Sequence, residues 1–179
     1  ELLRTREYHR LTLEEQKRFD DSVHLFARNP PRKIYNLEKL LKMKVPIARL
    51  KAEHNNRSAK SKSFETFGLH AEVVLAPKTP VMLLSNLWTE AGLTNGTRGT
   101  VLDIIYASHQ TPGQDLPTAV LVDFGENYRG PRFDKSLPRG VVPIVMQKTY
   151  DASRQSFRKN VPLDLAWGLT FHKSQGLTL

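Results

Sequence analysis

Near the end of the chain Leu165, Trp167, Leu169 and Phe171 alternate with Ala166, Gly168, Thr170 and His172, and Lys173-Ser174-Gln175-Gly176 follows at once. A period of two specifies a strand with one bulky apolar face and one face that runs from small to polar. Small side chains leave room for a close approach, and Thr170 and His172 would meet whatever approaches. The tetrapeptide after them offers donors, acceptors and a glycine that lets backbone come near, which suits phosphate groups. The same pattern also serves a half-buried strand entering a polar turn, and spacing alone leaves both readings open. Trp167 shares its face with apolar side chains only and reads as core, not as a stacking platform.

Other chemistries find little support. The chain has no cysteine, which removes disulfides, thiolate zinc sites and cysteine nucleophiles. Its six histidines are scattered, without the i+3 or i+4 pairing of a helical metal site, so no metal ligand set is expected. Ser153, Ser156 and Ser174 lack the His/Asp company of a hydrolase triad. No G-x-x-x-x-G-K-[ST] loop and no strand-end acidic pair is present. Phosphoryl transfer needs a phosphate cradle, Mg²⁺ ligands and a charge-stabilising arginine. The expectation is therefore no catalytic residue within these 179 residues, and no ATP hydrolysis or unwinding by this chain alone.

Charge points to a partner. Lys and Arg number 27 against 18 Asp and Glu, a formal net charge of +9. Such an excess favours polyanions, nucleic acid first, through release of counterions from phosphates. No apolar run is long enough to span a membrane, and residues 1–10 are polar and charged, unlike a secretory signal. No membrane partner is expected.

These residues need elements to hold them. Thr12-x-x-Glu15 is a capping box, predicting a polar helix to about Val23, with Asp20 and Asp21 as solvated charge. Residues 24–27 predict a short strand, and Asn29-Pro30-Pro31 opens a second helix. Ile34, Leu37, Leu40 and Leu41 give that helix an apolar stripe. Residues 45–54 predict a strand and the basic residues 55–63 a mobile loop. Residues 72–76, 81–85, 99–106, 119–124 and 141–149 are rich in Val, Ile and Leu and are separated by turn signals such as Asn95-Gly96. Short strands at this spacing predict a small barrel.

Three blocks resemble one family. Residues 162–178, Pro-Leu-Asp-Leu-Ala-Trp-Gly-Leu-Thr-Phe-His-Lys-Ser-Gln-Gly-Leu-Thr, closely resemble motif V of superfamily-one helicases, above all the 5′→3′ Pif family and its RecD relatives. Val81-Met82-Leu83-Leu84-Ser85-Asn86-Leu87, followed by residues 92–101, resembles that family's lead into a small inserted barrel. Leu25-Phe26-Ala27-Arg28-Asn29 with Tyr35-Asn36 resembles motif IV, with Ala27-Arg28 where relatives commonly carry Pro-Thr. Lys78-Thr79-Pro80-Val81 likewise departs from the usual Gly-x-x-Val.

The resemblance implies an α/β fold: a second RecA-like helicase domain (P-loop NTPase-like) with an inserted small Src-homology-type (SH3-like) β-barrel. Residues 1–85 would form the first part of that domain, 86–150 the barrel, and 151–179 the return with motif V. It implies contacts to single-stranded DNA from Thr170, His172, Arg28, Asn29 and Arg98. Gln175 and Gly176 would face the nucleotide, and Asn95 and Gly96, with Asn86, would shape the turn into the barrel. In the intact protein it implies ATP and Mg²⁺, bound mainly by a first RecA-like domain absent from this sequence, and single-stranded or fork DNA as partner. Roles in DNA repair, recombination or telomere maintenance follow by the same resemblance. So does an intracellular place, nuclear or mitochondrial if eukaryotic and otherwise cytoplasmic. Two other classes remain open: a non-catalytic single-stranded nucleic-acid-binding relic, and a small-barrel protein-interaction module.

Overall fold

Alternating Val, Ile and Leu in the middle of the chain build a five-stranded antiparallel sheet. Its strands, with those around it, are seen in a computed structural model that describes residues 11–17, 19 and 22–171. In chain order the elements are α1 (Leu13–Lys17), β1 (His24–Phe26), α2 (Asn29–Lys42), β2 (Ala48–Lys51), β3 (Glu53–His54), α3 (Arg57–Ser61) and α4 (Phe64–Phe67). Then follow β4 (Glu72–Leu75), β5 (Pro80–Leu83), β6 (Arg98–Ile105), β7 (Ala119–Asp123), β8 (Val141–Val145), β9 (Gln147–Tyr150), β10 (Phe157–Asn160), β11 (Leu163–Leu165) and β12 (Gly168–Thr170).

The large sheet runs β11-β5-β6-β7-β8. Its buried side chains, Val81, Leu83, Val101, Val120, Val122, Ile144 and Leu163, make one core with Leu50, Val73 and Leu75 of the small β2–β4 sheet. A bulge between Val101 and Asp103 shifts the β6–β7 register and leaves Leu102 exposed, the usual effect of one extra residue on a pleated strand. Pro143 lies in β8, an edge strand, where a missing N–H breaks no ladder. Because β5 and β11 belong to this sheet, it draws on residues both before and after 86–150.

Two smaller units complete the described fold. A three-stranded sheet runs β3-β10-β9. A parallel pair joins β1 to β12, with His24, Leu25 and Phe26 opposite Gly168, Leu169 and Thr170, and α2 packs on it. The fold is mixed α/β with a small antiparallel barrel-type sheet, as the resemblance implied.

Several expectations need correction. The capping box forms, with Glu15 N–H donating to Thr12 Oγ1 at 3.3 Å and Thr12 N–H donating to Glu15 Oε2 at 2.9 Å. The helix behind it covers Leu13–Lys17, and Phe19, Ser22 and Val23 are not helical, so it does not reach Val23; Asp20 and Asp21 lie outside the described residues. Of the α2 stripe only Leu40 is buried, whereas Ile34, Leu37 and Leu41 are exposed; the inward face carries Arg32 and Asn36. The strand expected at 45–54 is split between β2 and β3, which lie in different sheets, and that expected at 141–149 is split between β8 and β9.

The segment 55–63 is no loose loop. Asn56 caps α3, its Oδ1 accepting from Ala59 N–H at 2.7 Å. Asn55 Nδ2 donates to the Gln155 carbonyl at 2.8 Å, and its Oδ1 accepts from Phe157 N–H at 2.8 Å. Polar composition signalled solvent, but here it supplies caps and cross-links.

The final strand also differs. Instead of one strand with an apolar and a polar face, the chain breaks at Ala166-Trp167 and passes from the large sheet into the parallel pair. All three residues of β12 are buried, Thr170 among them, while Phe171 is exposed.

Candidate nucleic-acid interface

The break between β11 and β12 leaves backbone groups that need partners, and α2 provides them from more than a hundred residues away. Asn36 Nδ2 donates to the carbonyls of Leu165 and Gly168, each at 3.0 Å, and its Oδ1 accepts from Gly168 N–H at 2.6 Å. One buried amide thus satisfies three main-chain groups that could not pair within a strand. Gly168 is required at this point: a Cβ there would stand 2.6 Å from the Phe26 ring and 3.1 Å from Tyr35. Phe26 and Tyr35 rings pack with centroids 5.3 Å apart, closing the corner.

A charged contact reinforces the joint. Arg32 Nη1 donates to Asp164 Oδ2 at 2.9 Å, both side chains largely buried. His70 Nε2 lies 3.3 Å from the same oxygen. Arg32 Nε also reaches Asn29 Oδ1 at 3.3 Å. Arg32, His70 and Asp164, with Asn36 and Leu165, line a cleft of about 320 Å³. Burial makes such a pair directional more than strongly stabilising, since desolvation offsets most of the attraction.

The sequence-derived DNA-contact residues fall into three positions. Arg28 and Asn29 are exposed at the start of α2, two and three residues beyond Phe26, which pairs with Thr170. Arg28 is the N-cap position and gives no capping bond. Pro30 and Pro31 remove two of the N–H groups that a helix start normally offers to an anion. The helix start therefore has few N–H groups to offer a phosphate at this corner. Arg98 is half-buried: its Nη2 donates to the Ala166 carbonyl at 3.3 Å, and its Nε is buried without a hydrogen-bond partner among the described residues. Desolvation pushes its pKa down from the ordinary arginine value. It therefore supports the β11–β12 link from behind. His172, Gln175 and Gly176 lie outside the described residues.

Asn95 and Gly96 sit in a tight turn, closed by Thr97 N–H donating to the Thr94 carbonyl at 3.0 Å, at the end of the long connection from β5 to β6. Gly96 has φ +94°, a left-handed conformation suited to glycine, and its N–H donates to the Leu83 carbonyl at 2.8 Å. Asn86 Oδ1 accepts from Asn95 N–H at 2.8 Å.

Sequence reasoning gave no role to Asp164 or Arg158. Asp164, set between two leucines, carries the one hint that pattern could give: a carboxylate within an apolar run needs a partner. Arg158 is 1% exposed and surrounded by acceptors. It donates to the carbonyls of Lys62 at 2.7 Å, Leu69 at 2.9 Å and Ala59 at 3.2 Å, and to His54 Nε2 at 3.1 Å. It also lies over the Phe67 ring, 4.7 Å from its centroid. Burial and the Arg158 charge together hold the His54 pKa below its usual value, so the ring is neutral and accepts. Nearby, Asp151 accepts from Lys62 Nζ at 2.6 Å, from Ser153 Oγ at 3.0 Å and from Ser156 N–H at 3.2 Å. The Lys62 bond, first among these, holds the carboxyl at about 2. Among the described residues no three His, Asp or Glu side chains gather as a metal site would require.

Residues 73–104 match the family described as DNA helicase Pif1, 2B domain. The ATP-dependent DNA helicase PIF1 of Danio rerio is 37% identical over 100 residues, which is 55% of this chain but only 13% of the relative. The chain thus spans a small part of the curated relatives it matches. The crystal structure of Pif1 helicase from Candida albicans superposes with a TM-score of 0.66 at 21% identity, over 89% of this chain and 37% of that one. A Bacteroides Pif1 helicase in complex with ADP-AlF3 and ssDNA superposes with a TM-score of 0.57 at 19% identity, over 99% of this chain and 40% of that one.

Proposed function

We propose, from the premise that this chain belongs to the Pif1 helicase family, that it is the DNA-gripping stretch of an ATP-dependent DNA helicase. One observation carries the reading. The block resembling motif IV and the block resembling motif V, more than 130 residues apart, meet as the parallel neighbours β1 and β12, clamped by Asn36. Parallel strands need covering on both faces, and here Leu25, Ile34, Leu37, Leu41 and Phe171 stand exposed around the pair. We assign this apolar surface to packing within a larger RecA-like domain that takes in β1, α2 and β12, with the five-stranded sheet, which draws on β5 and β11 as well as on 86–150, as the inserted barrel.

In this reading the corner holds a single strand by its phosphates. Arg28 meets the backbone at the start of α2, with Asn29 beside it. His172 continues the contact along the chain from β12, while the buried Thr170 holds that strand in place and Arg98 supports the β11–β12 link. Gln175 and Gly176 face a nucleotide bound between this domain and a partner RecA-like domain. ATP supplies the energy for domain closure. The described residues form neither a phosphate cradle nor a magnesium site, so their share is to bind, orient and respond. Closure on ATP would shift the β12 corner against the strand and move it 5′ to 3′, a gating role for domain motion. The substrate is single-stranded or fork DNA, and the setting is an intracellular genome-maintenance process.

The test is equilibrium binding of a labelled single-stranded oligonucleotide. The chain is expected to bind it, with affinity falling roughly 3- to 10-fold in Arg28→Ala and in His172→Ala, the usual range for a lost charged phosphate contact. Binding that both variants leave intact would remove the corner from the interface.

A further inference from the structure

A second contact surface lies outside that corner, on the outer face of the three-stranded sheet. In the β9–β10 hairpin Phe157 pairs with Tyr150 and Lys159 with Lys148. Arg158 and Asn160, the alternate residues of β10, are buried, so Tyr150, Phe157, Lys148 and Lys159 share the outward side. Tyr150 is 50% exposed. Its ring meets that of Phe157 edge-on, with centroids 6.0 Å apart. Lys148 Nζ lies 3.9 Å from the Phe157 centroid and 5.3 Å from that of Tyr150. Arg154, also exposed, stands in the turn joining the two strands. Lys159 is paired with Glu53 at 3.0 Å, so free positive charge concentrates at the Lys148 and Arg154 end.

We propose that this face is a base-stacking platform for single-stranded nucleic acid, with Tyr150 as the stacking ring and Lys148 and Arg154 as phosphate contacts. The inference rests on the nucleic-acid reading above but concerns a different surface. A half-exposed aromatic ring set among cations on a sheet matches the two needs of a single strand: a π-face for a base and positive charge along the backbone. An apolar peptide would find little to bury here beside two ammonium groups, and duplex DNA offers no exposed base face to stack. The edge-on Phe157 ring braces Tyr150, which reduces the freedom lost when a base settles on it. On the Lys159 side the sheet borders a cleft of about 440 Å³ that also carries Glu53 and Asp115. Glu53 is neutralised by Lys159, but Asp115 repels phosphate there and favours the hairpin-turn side for the strand.

The experiment compares the chain's affinity for an oligothymidylate of about 12 nucleotides with that for an abasic strand of equal length and charge. The wild type is expected to favour the base-bearing strand by roughly 5- to 100-fold, the range of one or two stacked bases. Tyr150→Leu retains the cross-strand packing but has no π-face, and most of that preference should vanish. Tyr150→Phe should keep it, and Lys148→Gln should reduce the salt dependence by about one phosphate contact. Equal affinity for the two strands in the wild type, or an undiminished preference in Tyr150→Leu, overturns the platform while leaving the corner intact. A wild type that binds neither strand overturns the platform together with the nucleic-acid reading beneath it.

Discussion

In the five-stranded sheet the inward positions are Val81, Leu83, Val101, Val120, Val122 and Ile144, all buried. Around the joints that tie this sheet to the rest of the chain, the buried or nearly buried side chains are Arg32, Asn36, Asp164, Arg158 and Asn160. The two regions obey different rules. Apolar packing is non-directional, so a lost methylene costs in proportion to the space it leaves. A buried polar joint is directional: Asn36 answers three main-chain groups and Arg158 at least four acceptors, and removing either strands all of them at once. The sheet provides bulk stability, whereas the polar joints fix where β12, α3 and α4 sit.

That comparison is most easily broken at Arg158. Arg158→Ala should lower the free energy of unfolding by about 4 kcal/mol, through stranded carbonyls and a cavity together. Val120→Ala, a fully buried site in the sheet, should cost about 2 kcal/mol. Denaturant titration of both variants checks the order, and equal losses would dissolve the distinction. At the other joint, Asn36→Ala should cost about 3 kcal/mol and release the Gly168 amide to rapid hydrogen exchange. Ile144→Val, the matching small change in the sheet, should cost about 1 kcal/mol and leave that amide protected.

A smaller effect concerns acid. Asp151 is held at about 2 in the folded chain, against 3.8 without its partners. Its folded value is depressed, so the stability it contributes is complete above about pH 4 and is lost as pH falls toward 2. His54 adds an earlier limb of the same sign: with its folded pKa lowered, protonation below about 6.5 favours the unfolded chain. The denaturation midpoint should therefore decline first below pH 6.5 and again between 4 and 2, and Asp151→Asn should flatten the second limb alone.

The same contrast explains what could be read from sequence. Runs dense in Val, Ile and Leu located β4 to β7 within a residue or two, because burial of those side chains is what makes the strands, whereas the run at 141–149 covered both β8 and β9. The Thr12-x-x-Glu15 box and the prolines of α2 were equally legible, since each acts over one turn. The polar joints were not. Asn36 stands mid-helix among better helix formers, a signal of some specific duty that pattern cannot name. Residues 55–63 looked like solvent-facing loop because their partners, residues 151–158, lie about a hundred positions away. The alternation at 165–172 suggested one strand because both halves are apolar; only the sheet order reveals that the chain changes partners at Ala166-Trp167. At the corner, Arg28 and Asn29 proved exposed while Thr170 is buried, an asymmetry that burial in three dimensions sets and spacing does not.

The most direct measurement is the affinity of this chain for single-stranded DNA as a function of salt. The account predicts binding whose logarithm falls linearly with log salt at a slope of about −2 to −3.5, corresponding to roughly three to five neutralised phosphates at about −0.7 each. It also predicts a weaker slope in Arg28→Ala. Binding that ignores salt, or no binding at low salt, would contradict a phosphate grip at the β1–β12 corner.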